Sequence, residues 1–423
     1  MTQPNTDIAR SNVQELFIVP ETERGVIAYP TKEHFIAVSN DATANQSPEY
    51  TDSSEKLGTR DVIERFKNAM PAAQASAAML LRTGELGEKP QGYDALLSLF
   101  GTSTLITPPL FTLGSASASD TVIPLASMEH TAPLPPCGVI ETDGELIYYD
   151  EISENGGSLL GCVRGYNGTT AQSISGGAAN YKSIAFMQAD SNPSFSMWLR
   201  TDHFVQAITG ATVNTAQLSL ANDGPVTFDF SSIQGMEMVM AGSSKLKAAA
   251  TAGADRVKVE NPKSYTTKAW VWNPTVGDNG GGPSSGYKVT GIDEASGELI
   301  LDKPIMMNWP KDSILAGFLP QDAEVIGQPL EGVDTDVFLD GVRGKMRSGS
   351  MDYSNNIQYL TDEIGTRFPQ GYVEDARTME LTQHNYFRAD TAERVQEGYE
   401  GKLMSVRCAF KTSMAVMPLP LIA

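Results

Sequence analysis

Residues 348–387 read SGSMDYSNNIQYLTDEIGTRFPQGYVEDARTMELTQHNYF. The segment Lys345–Tyr353 has the look of a β-strand. A polar run, Asn355–Glu363, follows it and leads to the turn Ile364-Gly365-Thr366-Arg367. Thr378–Gln383 then alternates, which puts Met379 and Leu381 on one face of a returning strand. On the N-terminal side, Val337–Leu339 reads as a further strand. On the C-terminal side, a helix is predicted from Asp390, with Glu393 placed for a capping box and Gly401 near its end. Strands Leu403–Phe410 and Met414–Met417 finish the chain, and Pro418 and Pro420 hold the apolar tail extended.

The N-terminal third runs through the same order. After an arm (residues 1–16) come strands Leu16–Val19 and Phe35–Val38, a polar stretch Ser39–Lys56, and then Leu57-Gly58-Thr59-Arg60. In the alternating segment Ala73–Leu81, the residues Ala73, Ala75, Ala77 and Met79 share a face. A short helix is predicted over Pro90–Phe100, with Leu96, Leu97 and Phe100 on its apolar side and Gly101 as its cap. Two passes through polar loop, Gly-Thr-Arg, alternating strand and helix predict an internal duplication. Two insert-like β-modules separate the copies, each read as a small barrel or sandwich. The expected map is residues 1–112, N-terminal half; 113–187, first insert; 188–242, central strands; 243–318, second insert; 319–423, C-terminal half.

Composition agrees with a mainly β protein. Of 423 residues, 41% are hydrophobic and 19% charged, with 38 Gly and 24 Pro to make turns. No apolar run approaches the roughly 20 residues that span a bilayer, and Met1–Asn12 is polar, unlike a signal peptide. Assembly in the cytoplasm is expected, with Cys137, Cys162 and Cys408 as reduced structural thiols. The formal net charge of −20 argues against a nucleic-acid clamp, which needs a basic stripe.

The stretch Gly344–Phe387 resembles the signature half of the tail tube proteins of long-tailed, siphovirus-like bacteriophages. Gly210–Phe230, GATVNTAQLSLANDGPVTFDF, is similar to that family's central strands, and Val163–Ala171, VRGYNGTTA, resembles accessory β-modules of tail and neck proteins. The resemblance implies a tail-tube β-sandwich or barrel fold, here duplicated, with short flanking helices and two inserted β-domains. It implies a virion structural protein that self-assembles into stacked rings forming a conduit for DNA ejection, with long hairpins joined edge to edge around the lumen. The duplication favours a pseudo-hexameric ring of three chains over a hexameric ring of six. Implied partners are other copies of the chain, a tape measure protein, and tail terminator and distal tail proteins. DNA passes without specific binding, there is no membrane insertion, and no cofactor is implied.

A conduit for a polyanion should repel phosphate, since basic contacts bind it. The candidate lumen-lining acids are Glu49, Asp52, Glu55, Asp61 and Glu64 in the first half, and Asp352, Asp362, Glu363, Glu374 and Asp375 in the second. Arg60 and Arg367 are expected to pair with carboxylates between subunits. The arm and the tail, with Met417, Leu419 and Leu421, are expected to reach the neighbouring ring.

Catalytic patterns are missing from the sequence. His34, His130, His203 and His384 form neither His-x-x-His nor His-Glu-x-x-His, there is no Gly-x-Ser-x-Gly elbow, and Gly280-Gly281-Gly282 lacks the Lys-Ser/Thr of a phosphate loop. A non-enzyme with no metal site is expected. The alternative is a distal tail or adhesion protein that binds cell-surface glycans through its inserts, with Trp270 and Trp272 on one side of a strand. A glycan hydrolase using paired carboxylates such as Asp150 and Glu151 ranks third.

Overall fold

The computed structural model describes residues 14–54, 64–83, 88–104, 111–126, 135–202, 204–282, 285–321, 325–386, 404–410 and 415–422, with single positions at 323, 396 and 400. The predicted arm up to residue 13, the first Gly-Thr-Arg (58–60) and the predicted helix from Asp390 lie outside these residues, apart from those single positions.

The protein is mainly β, as its patterning predicts. The largest sheet has ten strands. In chain order they are β1 (Gln14–Pro20), β2 (Phe35–Ile36), β3 (Thr43–Asn45), β4 (Ala73–Leu80), β5 (Phe195–Thr201), β6 (Phe204–Ala221), β7 (Thr227–Gly235), β8 (Glu237–Ala241), β9 (Met346–Ser354) and β10 (Thr378–Asn385). The spine is β6, 18 residues without a proline. Its first half pairs with β5 and β8, and its second half with β9 and β7. The partners change near Gly210, which has φ +59°, and a Cβ there would stand 2.5 Å from Met236 Sδ. Glycine is therefore required at the bend.

Burial along β6 follows its partners. Residues Ala207 to Val213 are buried without interruption, whereas from Ala216 to Leu220 every second residue is. The first half is covered on both faces. Phe17, Val19, Trp198, Val205 and Val239 point into a core shared with the second insert, while Leu16, Ile18, Met197, Leu199 and Ile208 point into the main core. The second half is a six-stranded sheet, β10-β9-β6-β7-β4-β3, with one apolar face. That face carries Ala75, Ala77 and Met79 of β4, Phe228 and Phe230 of β7, and Met351 and Tyr353 of β9. Helix α1 (Tyr93–Phe100) packs into the same core through Ala95, Leu96, Leu99 and Phe100. It begins three residues after the predicted Pro90, and Leu97 is only half-buried, because Leu99 takes the inward position instead.

Two segments of the chain share an element order. Strand β3, hairpin Tyr50–Asp52/Arg65–Lys67 and antiparallel strand β4 are matched by β9, hairpin Ile357–Tyr359/Tyr372–Glu374 and antiparallel strand β10. The run Asn355–Glu363 is thus not all loop. Ile357 and Tyr359 are buried, and the Tyr359 hydroxyl donates to the Gly210 carbonyl at 2.5 Å.

The first insert has its own core of Leu113, Ile140, Ile147, Tyr149, Leu159 and neighbours. It meets the main fold where Tyr148 stacks on Phe338 with ring centroids 4.1 Å apart. The second insert is a six-stranded sheet from Ser244 to Gly317. It is no pendant, since it closes the core over β1, β5 and β6. The tail is extended as predicted, and its backbone is committed within its own chain. Ala415–Ile422 pairs with Met404–Phe410, placing Met417 opposite Cys408, Pro418 opposite Arg407 and Leu419 opposite Val406. Strand Ile184–Gln188 covers its other edge only at Ala415 and Val416, so the two prolines fall where no donor is needed on that side.

Candidate functional site: a polar sheet face

The second half of the main sheet turns its other face to solvent. Alternation along each strand puts the same class of residue there. β6 contributes Thr215, Gln217 and Ser219; β7 contributes Thr227, Asp229 and Ser231; β9 contributes Ser348, Ser350, Asp352 and Ser354. β10 adds Thr378, Glu380, Thr382 and His384, and β4 with β3 adds Gln74, Ser76, Thr43 and Asn45. Lysine and arginine are absent from the outward positions just named. Arg347 is exposed at the register shift between Met346 and Ser348, at the end of β9, and its guanidinium stands over the Tyr386 ring, 6.0 Å from its centroid.

One row across this face carries the charge. Gln217 is paired with Asp229 on one side and Asp352 on the other, and Asp352 is paired with Glu380. The Gln217 amide donates to Asp352 Oδ1 at 2.5 Å. Like charges directly opposite in a ladder destabilise it, so the Asp352–Glu380 pair is a cost to the fold that the glutamine partly offsets. The row lies in an open concavity of about 820 Å³ between β7 and β10.

Of the predicted acids, Asp352 stands on this face. Glu49, Asp52 and Glu64 lie on or beside the hairpin Tyr50–Asp52/Arg65–Lys67, where Asp52 pairs with Arg65 at 2.7 Å. Glu374 is in the second hairpin, Asp375 follows it, and Asp362 and Glu363 are exposed in the loop between its strands. Arg367, in the same loop, holds its guanidinium over Phe368 at 5.4 Å. Glu55, Arg60 and Asp61 lie outside the described residues, and of Leu421 only the backbone, in the tail strand, is described. Asp229 and Glu380 were missed by the sequence reading. Their signal was the alternation itself, Phe-Asp-Phe at 228–230 and Met-Glu-Leu at 379–381.

The tryptophans are core residues. Trp198, Trp270 and Trp309 are at most 2% exposed. Trp270 and the half-buried Trp272 both pack edge-on against Phe318, at 4.6 and 5.9 Å. Among the described residues, no group of three or more His, Cys, Asp or Glu side chains is disposed to hold a metal ion, and no helix is long and apolar enough to cross a membrane. No protein-family model matches the chain, and no curated protein matches it in sequence.

Proposed function

We propose that this chain is a structural, non-enzymatic ring subunit of a bacteriophage tail tube, and that the face of β10-β9-β6-β7-β4-β3 lines the conduit for DNA. The observation that carries the reading is the polar face with its Asp229–Gln217–Asp352–Glu380 row, a row without lysine or arginine, backed by an apolar core. Carboxylates, hydroxyls and amides offer phosphate no counter-charge, so a duplex meets repulsion and water instead of a binding site. The row costs the fold stability, which favours a role outside folding. Among the described residues β10 and β3 are the end strands of this sheet, which suits lateral closure of a ring. The doubled unit of strand, hairpin and returning strand suits three chains with pseudo-six-fold symmetry. Tape measure, terminator and distal tail proteins are the partners such a tube takes, and the virion tail is its location. Trp270 is buried and Trp272 packs on Phe318, so the tryptophan pair on which the glycan-binding alternative relies belongs largely to the core.

Negative-stain electron microscopy of the purified chain over a range of concentrations tests this. Hollow filaments with a regular ring repeat are expected, and rotational averages separate three chains from six. Monomers at every concentration, or discrete closed particles, would overturn the reading.

A further inference from the structure

The hairpins Tyr50–Asp52/Arg65–Lys67 and Ile357–Tyr359/Tyr372–Glu374 are paired in the same register. Tyr50 opposite Lys67, Thr51 opposite Phe66 and Asp52 opposite Arg65 correspond to Ile357 opposite Glu374, Gln358 opposite Val373 and Tyr359 opposite Tyr372. The joining segments, 53–64 and 360–371, are equal in length, and Gly-Thr-Arg stands at the same place in each. The strands that carry the hairpins match as well. Along the sheet β10-β9-β6-β7-β4-β3, the pair β10-β9 recurs as β4-β3, with the returning strand first each time. The recurrence is a step along the sheet.

The second hairpin is seated on its own chain. Leaving from β9, it leans over the next two strands. The Tyr359 hydroxyl oxygen lies 2.5 Å from the Gly210 carbonyl of β6 and 3.0 Å from the Gln234 carbonyl of β7. Beyond them, the Arg367 carbonyl accepts from the N–H of Met70, which leads into β4, at 2.8 Å. The hairpin of one unit thus ends on the base of the next unit's returning strand. Ile357 and Tyr359 are buried as a result, at 4% and 5% exposure.

The first hairpin has no such seat among the described residues. Tyr50, in the place of Ile357, is 56% exposed, and Phe66 on the opposite face is 55% exposed. Asp52 and Arg65, in the places of Tyr359 and Tyr372, pair with each other in solvent. A two-stranded hairpin exposed on both faces is marginal by itself. It leaves from β3, an end strand of the sheet among the described residues. The step that the second hairpin makes inside the chain therefore leads, for the first hairpin, off the edge of the sheet.

We infer that the first hairpin makes this step onto a second copy of the chain, seating its Tyr50 and Asp52–Arg65 face there and reaching the base of that copy's β10. The position that matches Met70 is Arg377, which lies between exposed Ala376 and Thr378. The Arg377 guanidinium is committed to Asn192 Oδ1 at 2.6 Å, so the contact is with the backbone of this segment, as it is at Met70. A tyrosine beside a solvated ion pair suits a face that meets water before assembly. The contact joins unlike surfaces and always steps the same way, so it closes a ring or runs on as a filament. The inference rests on the tube reading for its partner and names the surface by which the first half of one chain meets the second half of the next.

The test is the full chain with photoreactive p-benzoylphenylalanine in place of Tyr50 or, separately, of Ala376, irradiated after mixing with isotope-labelled copies. Both positions are exposed, so folding is retained. The expected result is loss of the monomer band into covalent oligomers. Mixed-label peptides should join position 50 to residues 319–423 of another copy, and position 376 to residues 50–67 of another copy. Cross-links within one chain, to other parts of a second copy, or none at all overturn the inference. Microscopy of the unaltered protein separates the two readings. Hollow tubes without these cross-links would remove the seating and keep the tube. The cross-links without tubes would keep the seating and remove the tube, and neither would remove both.

Discussion

Gln217 donates to Asp352 at 2.5 Å across the β6–β9 ladder, and on its other side the same glutamine faces Asp229. One amide thus stands between two carboxylates in a row without a cation. The electrostatic character of the face can be inverted here with little effect on the core.

Replacing Asp229, Asp352 and Glu380 together by lysine should leave folding intact, because exposed substitutions change stability by only about 0.5 kcal/mol each. It should create duplex DNA retention that falls steeply between about 50 and 200 mM salt. Co-sedimentation of assemblies with DNA reads this out. Equal DNA retention by the unaltered protein would show that the face does not repel phosphate.

In the first insert, Arg164 holds Glu145 at 2.8 Å, with the two side chains 6% and 1% exposed. Arg164→Met would strand the carboxylate, at a cost of about 3–5 kcal/mol. Chemical denaturation followed by tyrosine signals checks this, and a cost below about 1 kcal/mol would refute it.

The same pair predicts a pH dependence. Burial alone would raise the Glu145 carboxyl, but the Arg164 guanidinium and the Gln172 and Gly165 N–H groups outweigh it and hold it below its ordinary 4.5. A depressed carboxyl stabilises fully above the unfolded value and loses that contribution as pH falls through the folded one. The first insert should therefore loosen in acid below about pH 4.5, and Glu145→Gln should flatten that part of the profile. An unchanged acid limb in the variant would contradict the assignment.

Asp278 anchors the small-residue loop of the second insert. Its carboxylate accepts from the Tyr287 hydroxyl at 2.7 Å, Trp309 Nε1 at 2.9 Å, and the N–H groups of Gly280 and Met307 at 3.0 Å each. Asp278→Ala leaves buried donors unpaired, at about 1–3 kcal/mol for each that water cannot reach. Trp309 fluorescence during unfolding should shift to lower denaturant by more than the loss of one hydrogen bond explains.

Gly235→Ala tests the packing at the bend. A Cβ there would lie 2.2 Å from Ile208 Cγ2 and 3.0 Å from the Thr209 carbonyl oxygen. Overpacking of this kind costs about 1–3 kcal/mol. A melting temperature equal to that of the unaltered chain would mean that β6 and β7 can separate freely there.

Sequence alone determined the mainly β class and the inward face of β4 through Ala73, Ala75, Ala77 and Met79. These are local properties, since a period of two assigns each side chain to a face whatever the strand's partners are. It placed Asp352 correctly on a strand but not beside Asp229 and Glu380. That row depends on the register of β6 against β7 and β9, and Gln217 and Asp352 are 135 positions apart. A slip of one residue would turn any of these side chains to the other face. Trp270 and Trp272 show the same limit from the other direction. Spacing two apart puts them on one side of a strand, but whether that side meets solvent or Phe318 was decided only when the second insert closed over β1, β5 and β6.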